Sequence, residues 1–285
     1  MSLWFFVSDL HGSISRYQKL FQRIVEEKPE VVLLGGDLLP SGPFYTQDLP
    51  GKSFITAVLQ NGLAEIRANL AASYPKVLII LGNDDPRAEE AELRQAENLG
   101  LWTYIHFRKA VCGDFLVYGY ACVPPTPFML KDWERYDVSR FVDPGCISPE
   151  EGWLSVPASV HELKFTTIQA DLELLTEDND LSRAIFLFHA PPHQTSLDRM
   201  AVDGRLIDNV PLDPHAGSIA IYRFITKRQP LITLHGHIHE SARLTGSWCQ
   251  QIGRTWAYSA AHDGPELALV RFDPSNPNQA TRSLI

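Results

Sequence analysis

The sequence predicts an α/β fold from two observations. Short apolar runs alternate with amphipathic stretches through the first hundred residues, and runs of the same kind resume at residue 184. With 285 residues, 45% of them apolar, the chain can bury a full core, as one large α/β domain or two small ones. Residues 4–8 read as the first strand, and Ile14, Tyr17, Leu20, Phe21, Ile24 and Val25 then recur at helical spacing. Residues 31–34 form a β-branched run closed by Gly35 and Gly36. Ile55, Val58, Leu59, Leu63, Ile66 and Leu70 predict a second helix, followed by a buried strand over 77–81.

From about 100 to 180 this plan weakens into aromatic and proline-rich sequence, notably Val123-Pro124-Pro125-Thr126-Pro127-Phe128 followed by Trp133 and Tyr136. The expectation is an insertion packed over the domain, its prolines stiffening a pocket wall that Trp133, Arg135 and Tyr136 help to build. Strands resume at 184–188 and 231–234, with a helix over 218–227 between them for which Ser218 is a plausible N-cap. Residues 256–260 and 267–272 read as further strands. The last dozen residues, with Pro274 and Pro277, are expected to fray.

Charge and composition narrow the function classes. A net charge of -9 and a pI near 5.5 oppose binding to phosphate backbones or anionic lipid, so duplex nucleic acid and membrane surfaces are not expected partners. No stretch approaches the roughly 18 apolar residues of a membrane span. Residues 3–7 lack the basic flank and cleavage pattern of a signal peptide, so the expected compartment is the cytoplasm. Cys112, Cys122, Cys146 and Cys249 include no C-x-x-C pair, so reduced thiols are expected and histidine and carboxylate would have to ligate any metal.

Polar residues follow each predicted strand, where open α/β sheets bind ligands. Asp9 and His11 follow the first, Asp37 the second, and Asn83, Asp84 and Asp85 the third; His189 ends the 184–188 run, and His237 and His239 follow 231–234. Each fragment alone has an ordinary reading. Asp9-Leu10-His11 and Gly36-Asp37 suit turns, Asn83-Asp84 an Asx-turn, and His189 a rigid turn before Ala190-Pro191-Pro192. His237 and His239, two apart, would share one face of a strand, where two imidazoles invite a common cation. Five such fragments in one order are poorly explained by coincidence. Their donors suit borderline divalent ions such as Mn²⁺, Fe²⁺, Co²⁺, Ni²⁺ or Zn²⁺.

The series Asp9-Leu10-His11, Gly36-Asp37, Gly82-Asn83-Asp84-Asp85, His189-Ala190-Pro191-Pro192 and Gly236-His237-Ile238-His239 resembles the motifs of the calcineurin-like metallophosphoesterases. The resemblance implies one domain over 1–285 and a four-layer α/β/β/α sandwich of two mixed sheets with outer helices. It further implies two divalent metal ions, one held by Asp9, His11 and His239, the other by Asn83, His189 and His237, with Asp37 bridging. A water between the ions, acidified to hydroxide, would attack phosphorus in line. The implied substrate is a small-molecule phosphoester.

One position departs from the family pattern: Asp84 stands where a histidine usually follows the asparagine and assists the leaving oxygen. A carboxylate beside two dications stays ionised, so diesters are favoured over alkyl monoesters, and Asp84 and Asn83 become the candidate catalytic residues. His193 or His262 could supply the missing acid. Alternatives are a broad phosphomonoesterase, a nucleotide pyrophosphohydrolase or, outside enzymes, a catalytically silent binding module; a DNA nuclease is disfavoured by the acidic balance. His235, Arg135, Arg140 and the Gly217-Ser218 helix start have ordinary structural readings: core packing, ion pairing and capping respectively.

Overall fold

The computed structural model describes residues 2–41 and 53–285. In chain order its strands are β1 (Trp4–Val7), β2 (Val31–Gly35), β3 (Lys76–Ile80), β4 (Thr103–Tyr104), β5 (Arg108–Cys112), β6 (Phe115–Tyr120) and β7 (Ala184–Phe188). They continue with β8 (Leu206–Ile207), β9 (Val210–Pro211), β10 (Ile232–His235), β11 (Cys249–Ile252), β12 (Thr255–Ser259), β13 (Ala268–Phe272) and β14 (Thr281–Leu284). The helices are α1 (Ile14–Glu27), α2 (Asn61–Leu70), α3 (Glu90–Ala96), α4 (Val160–Phe165), α5 (Ile168–Thr176), α6 (Ile219–Arg228) and α7 (Ser241–Thr245).

Two six-stranded sheets face each other, with orders β14-β13-β1-β2-β3-β4 and β11-β12-β10-β7-β6-β5. In each, four parallel strands form one run (β1 to β4; β6, β7, β10 and β12) and antiparallel strands complete the sheet. Both sheets are therefore mixed. β2 packs on β7 and β3 on β6, while α1 pairs with α2 and α5 with α6 to complete the α/β/β/α sandwich. The central strands are wholly apolar and buried (Trp4–Val7, Ala184–Phe188) because both of their faces are covered. Among the described residues no helix is long and apolar enough to cross a membrane. All four cysteines are free thiols.

Several expectations are corrected. The irregular segment starts after Tyr120 and not near 100, because 103–120 supplies β4, β5 and β6. β5 is an edge strand whose side chains are mostly exposed, so it carries no apolar run to announce it. The C-terminal residues do not fray: β14 pairs with β13, and Ile285 and Leu267 exchange both backbone hydrogen bonds at 3.0 and 2.8 Å. The helix expected over 55–70 begins as a π-helical stretch, Ile55–Gln60, before α2.

A buried polar network fixes the proline-rich run. Lys131 and Glu134 are fully buried and paired at 2.6 Å. Glu134 accepts from the Thr126 backbone N–H at 2.8 Å and from its hydroxyl at 2.5 Å, while Lys131 Nζ donates to the Thr126 carbonyl at 2.8 Å. The loop is thus held from its centre. Replacing Lys131 by Met strands a buried carboxylate, and chemical denaturation is expected to show a loss of about 3 kcal/mol or more; an unchanged midpoint would contradict the load assigned to this pair.

Candidate metal centre

The parallel strands deliver polar residues to one crevice because β1, β2, β3, β7 and β10 all end on the same side. After β1 and β2 the backbone keeps pairing: Asp9 N–H donates to the Gly36 carbonyl at 2.9 Å and His11 N–H to that of Asp37 at 2.8 Å. Asp9, His11 and Asp37 all adopt left-handed φ values, of 56, 45 and 51°, and His237 follows at 72°. Non-glycine residues reach this region at an energetic cost, and such strain gathers at functional sites.

Donor atoms of Asp9, His11, Asp37 and His239 all lie within 4.8 Å of one another. His11 Nε2 and His239 Nε2 face each other at 3.1 Å, and His239 Nε2 stands 3.2 Å from Asp9 Oδ1. Two ring nitrogens aimed at one point suit a shared cation. On the other side of Asp37, His189 Nε2 lies 3.2 Å from Asp37 Oδ2 and 3.0 Å from Asn83 Oδ1, and the His189 and His237 rings are 5.3 Å apart. Asp37 Oδ2 also sits 3.9 Å from His11 Nε2, so this one oxygen stands between both groups. All seven predicted ligands are brought together, and the donor set fits divalent ions.

The surroundings orient these donors. His189 Nδ1 meets the Gly35 carbonyl at 2.8 Å, leaving Nε2 for the crevice. His237 N–H donates across the sheets to Asp9 Oδ1 at 3.0 Å, and Ser8 Oγ donates to Asp9 Oδ2 at 2.5 Å. The motif glycines keep this space open: a β-carbon on Gly236 would sit 2.6 Å from Asp9 Oδ2, and one on Gly36 would sit 2.7 Å from His189 Nδ1.

Electrostatics follow the crowding. Burial opposes ionisation of Asp9, but His239, His189 and His11 outweigh it and hold the carboxyl far below its usual range. The same contest, led by His189, leaves Asp37 lowered to about 2. Burial resists charge on His189 and His239, yet the neighbouring carboxylates raise them to about 10 and about 9. Burial and then the positive His189 push His237 down to about 3.

Asp84 lies beside the group. Its Oδ1 accepts from Asn83 Nδ2 at 3.0 Å, its Oδ2 lies 3.6 Å from His11 Nδ1, and its N–H donates to Asp37 Oδ1 at 2.8 Å. Burial, then Asp37, pushes its carboxyl up to about 6. Asp85, to which the sequence motifs assign no role, is fully buried and accepts from the backbone N–H groups of Leu38, Leu39 and Gly82 at 2.8 to 3.1 Å. It ties the loops after β2 and β3 together. The fourth position of the Gly82-Asn83-Asp84-Asp85 motif was the signal.

Other candidates fall outside the centre. His235 is buried, bonded to the Ala190 carbonyl and Thr233 Oγ1 at 2.8 Å each, and lowered to about 3 by burial. β10 ends at His235, so His237 and His239 converge through a turning loop and not through the strand alternation expected of them. Trp133 is buried with Nε1 donating to the Asp85 carbonyl at 2.8 Å, Arg135 pairs with Glu162 at 2.6 Å, and Tyr136 bonds Glu150 at 3.0 Å. None of these three lines the cavity beside the centre, although Pro124–Phe128 does. Arg140 pairs with Glu150 at 2.6 Å and His262 bonds Glu266 at 2.9 Å. Asp137 already occupies the start of α6, accepting from Ser218 Oγ at 2.5 Å and from Ile219 N–H at 2.7 Å. His193 does line the cavity.

Fold and donor set together define a metal-dependent phosphoesterase. A family model, the calcineurin-like phosphoesterases, matches residues 5–241, and the chain belongs to that family. The fold is similar to TT1561 of Thermus thermophilus, at 16% identity and a TM-score of 0.57, covering 99% of this chain and 98% of that one. It is also similar to a dimetal phosphatase from Danio rerio, at 13% identity and a TM-score of 0.52, covering 95% and 91%. At such identities the likeness speaks for the fold alone. No curated protein matches the sequence significantly.

Ligation requires neutral imidazoles, so cation binding at pH 7 must displace the protons that Asp37 and Asp9 hold on His189 and His239. We expect about two protons released per chain at pH 7, read by calorimetry in buffers of different ionisation heat; no release would contradict these assignments. With both values raised above the ordinary 6.5, the stability these imidazoles give the metal-free protein is full below pH 6.5 and lost as pH rises through 9 to 10.

Proposed function

We propose that the chain hydrolyses phosphodiesters at a centre of two divalent ions, held by Asp9, His11 and His239 on one side and Asn83, His189 and His237 on the other. Asp37 is the shared ligand. The observation carrying this reading is the position of Asp37 Oδ2 between His11 Nε2 at 3.9 Å and His189 Nε2 at 3.2 Å. A shared anionic oxygen is what two closely spaced cations require. Mn²⁺, Fe²⁺, Co²⁺, Ni²⁺ and Zn²⁺ all suit these nitrogen and oxygen donors. When bound, such ions neutralise phosphate oxygens and acidify water at neutral pH.

The chain's own residues then set orientation and substrate class. Asn83 fixes Asp84 by donating to it at 3.0 Å, and Asp84 lines the cavity that a phosphoester enters. A carboxyl near 6 is mostly ionised at pH 7, and neighbouring dications lower it further. Ionised, Asp84 cannot protonate a poor leaving group, and it repels a dianionic monoester more than a monoanionic diester.

Two substitutions test this reading. Asp37→Asn is expected to remove most diesterase activity and to lower metal content; full activity with both ions retained would refute the shared-ligand role. Asp84→His is expected to raise the ratio of alkyl monoester to diester kcat/KM by up to about 10² at equal metal occupancy. A wild type that already prefers alkyl monoesters would sink the diester assignment.

A further inference from the structure

We infer that the metal centre opens into a subsite for an apolar ester group, so that the substrate is a phosphodiester of a hydrophobic alcohol and not a nucleotide or polyphosphate. This rests on the phosphodiesterase reading above. A cavity of about 530 Å³ is lined in part by Asp37, Asn83, Asp84, His237 and His239, so it is continuous with the centre. Its size is that of a small-molecule site.

Three separate segments supply the apolar part of the remaining wall, Pro124–Phe128, the stretch holding Val138 and Phe141, and the chain around β8 and β9 with Met200, Val202, Ile207 and Leu212, interspersed with polar Thr126, Ser139 and a few carboxylates. Phe128 and Phe141 line this space yet are 58% and 69% exposed. Large apolar side chains gathered at an open cavity and left uncovered by the fold mark a binding surface.

The wall is also built to hold its shape. Asp208 and Asn209 at the β8–β9 turn have φ values of 49 and 64°, the pairing that tight two-residue hairpins require. Ile207 Cδ1 fills the space beside Gly145 where any other residue would carry a β-carbon, so the hairpin is propped on the neighbouring loop. Thr126 is anchored by the buried Lys131–Glu134 pair.

Charge excludes the competing occupants. Among the described residues no lysine or arginine lines the cavity, whereas Asp143, Asp213 and Glu240 do. His193 lies 3.8 Å from both Asp198 and Asp213, and His215 lies 2.8 Å from Asp198, so the two wall imidazoles face carboxylates of their own. A polyphosphate needs cationic partners beyond the metals, and here it would meet carboxylates. An uncharged hydrocarbon group meets apolar contact without desolvating a charge.

The test uses the metal-loaded full chain and a series of methyl, butyl and octyl p-nitrophenyl phosphates below their aggregation concentrations. We expect kcat/KM to rise about two- to fourfold per methylene over the first carbons, giving an octyl-to-methyl ratio on the order of 10². Phe141→Ser combined with Leu212→Ser should lower that ratio at least about tenfold, the arithmetic of a few methylenes losing their contacts. A flat wild-type series, or a ratio that survives the double substitution in a folded, metal-replete variant, overturns the apolar subsite while leaving the phosphodiesterase reading intact. The wild-type series decides alone if the variant does not fold. No turnover of any ester, methyl included, would instead remove the phosphodiesterase reading and this subsite with it.

Discussion

Two carboxylates, Asp9 and Asp37, are buried side by side at the ends of neighbouring parallel strands, and the rest of the crevice is arranged around neutralising them. Like charges in a medium that screens poorly are tolerated only with cationic partners close at hand. His239 and His189 serve at 3.2 Å each while protonated, and divalent ions serve the same need when bound. The left-handed backbone at Asp9, His11, Asp37 and His237 belongs to the same constraint, since it aims short side chains inward from tight loops. Gly36, Gly82 and Gly236 follow from it as well: each would place a β-carbon against Asp9, Asp37 or His189.

Much of this was legible in the sequence, for a physical reason. A strand covered on both faces is mostly apolar, so β1, β2, β3 and β7 appear as near-continuous apolar runs and β10 as one broken by Thr233 and His235, and the polar residues following each run stand out. That contrast exposed the ligand candidates and the α/β class together. Edge strands lack it. β5 and β14 keep exposed side chains and are held by backbone hydrogen bonds, which no side-chain pattern records. The same limit applies to the aromatic segment, where composition cannot say which way Trp133, Arg135 and Tyr136 point. They turn inward to Asp85, Glu162 and Glu150, and the neighbouring prolines face the cavity. Asp85 was hidden because a carboxylate beside ligands looks like another ligand, whereas here it receives backbone N–H groups.

Chemistry and binding are divided between the two halves of the cavity. The centre is dense in charge and hydrogen-bonding capacity, while the walls from three distant stretches of chain are nearly devoid of cations. Such a division separates the reacting phosphate, which any member of the class must hold, from the ester group that distinguishes one substrate from another. It also fits the absence of family motifs from residues 120–183 and 193–215: the wall demands only apolar bulk held in place, which many sequences can satisfy.

The ligand candidates come from both sheets, Asp9, His11, Asp37 and Asn83 from loops of one and His189, His237 and His239 from loops of the other. Cations held among these residues would act as a rivet through the seam between two layers that otherwise meet through side-chain packing. Ligand that binds only the folded chain stabilises it by about 2.7 kcal/mol at a hundredfold excess over its dissociation constant. Cation scarcity would then loosen the joint between the layers as well as silence the enzyme.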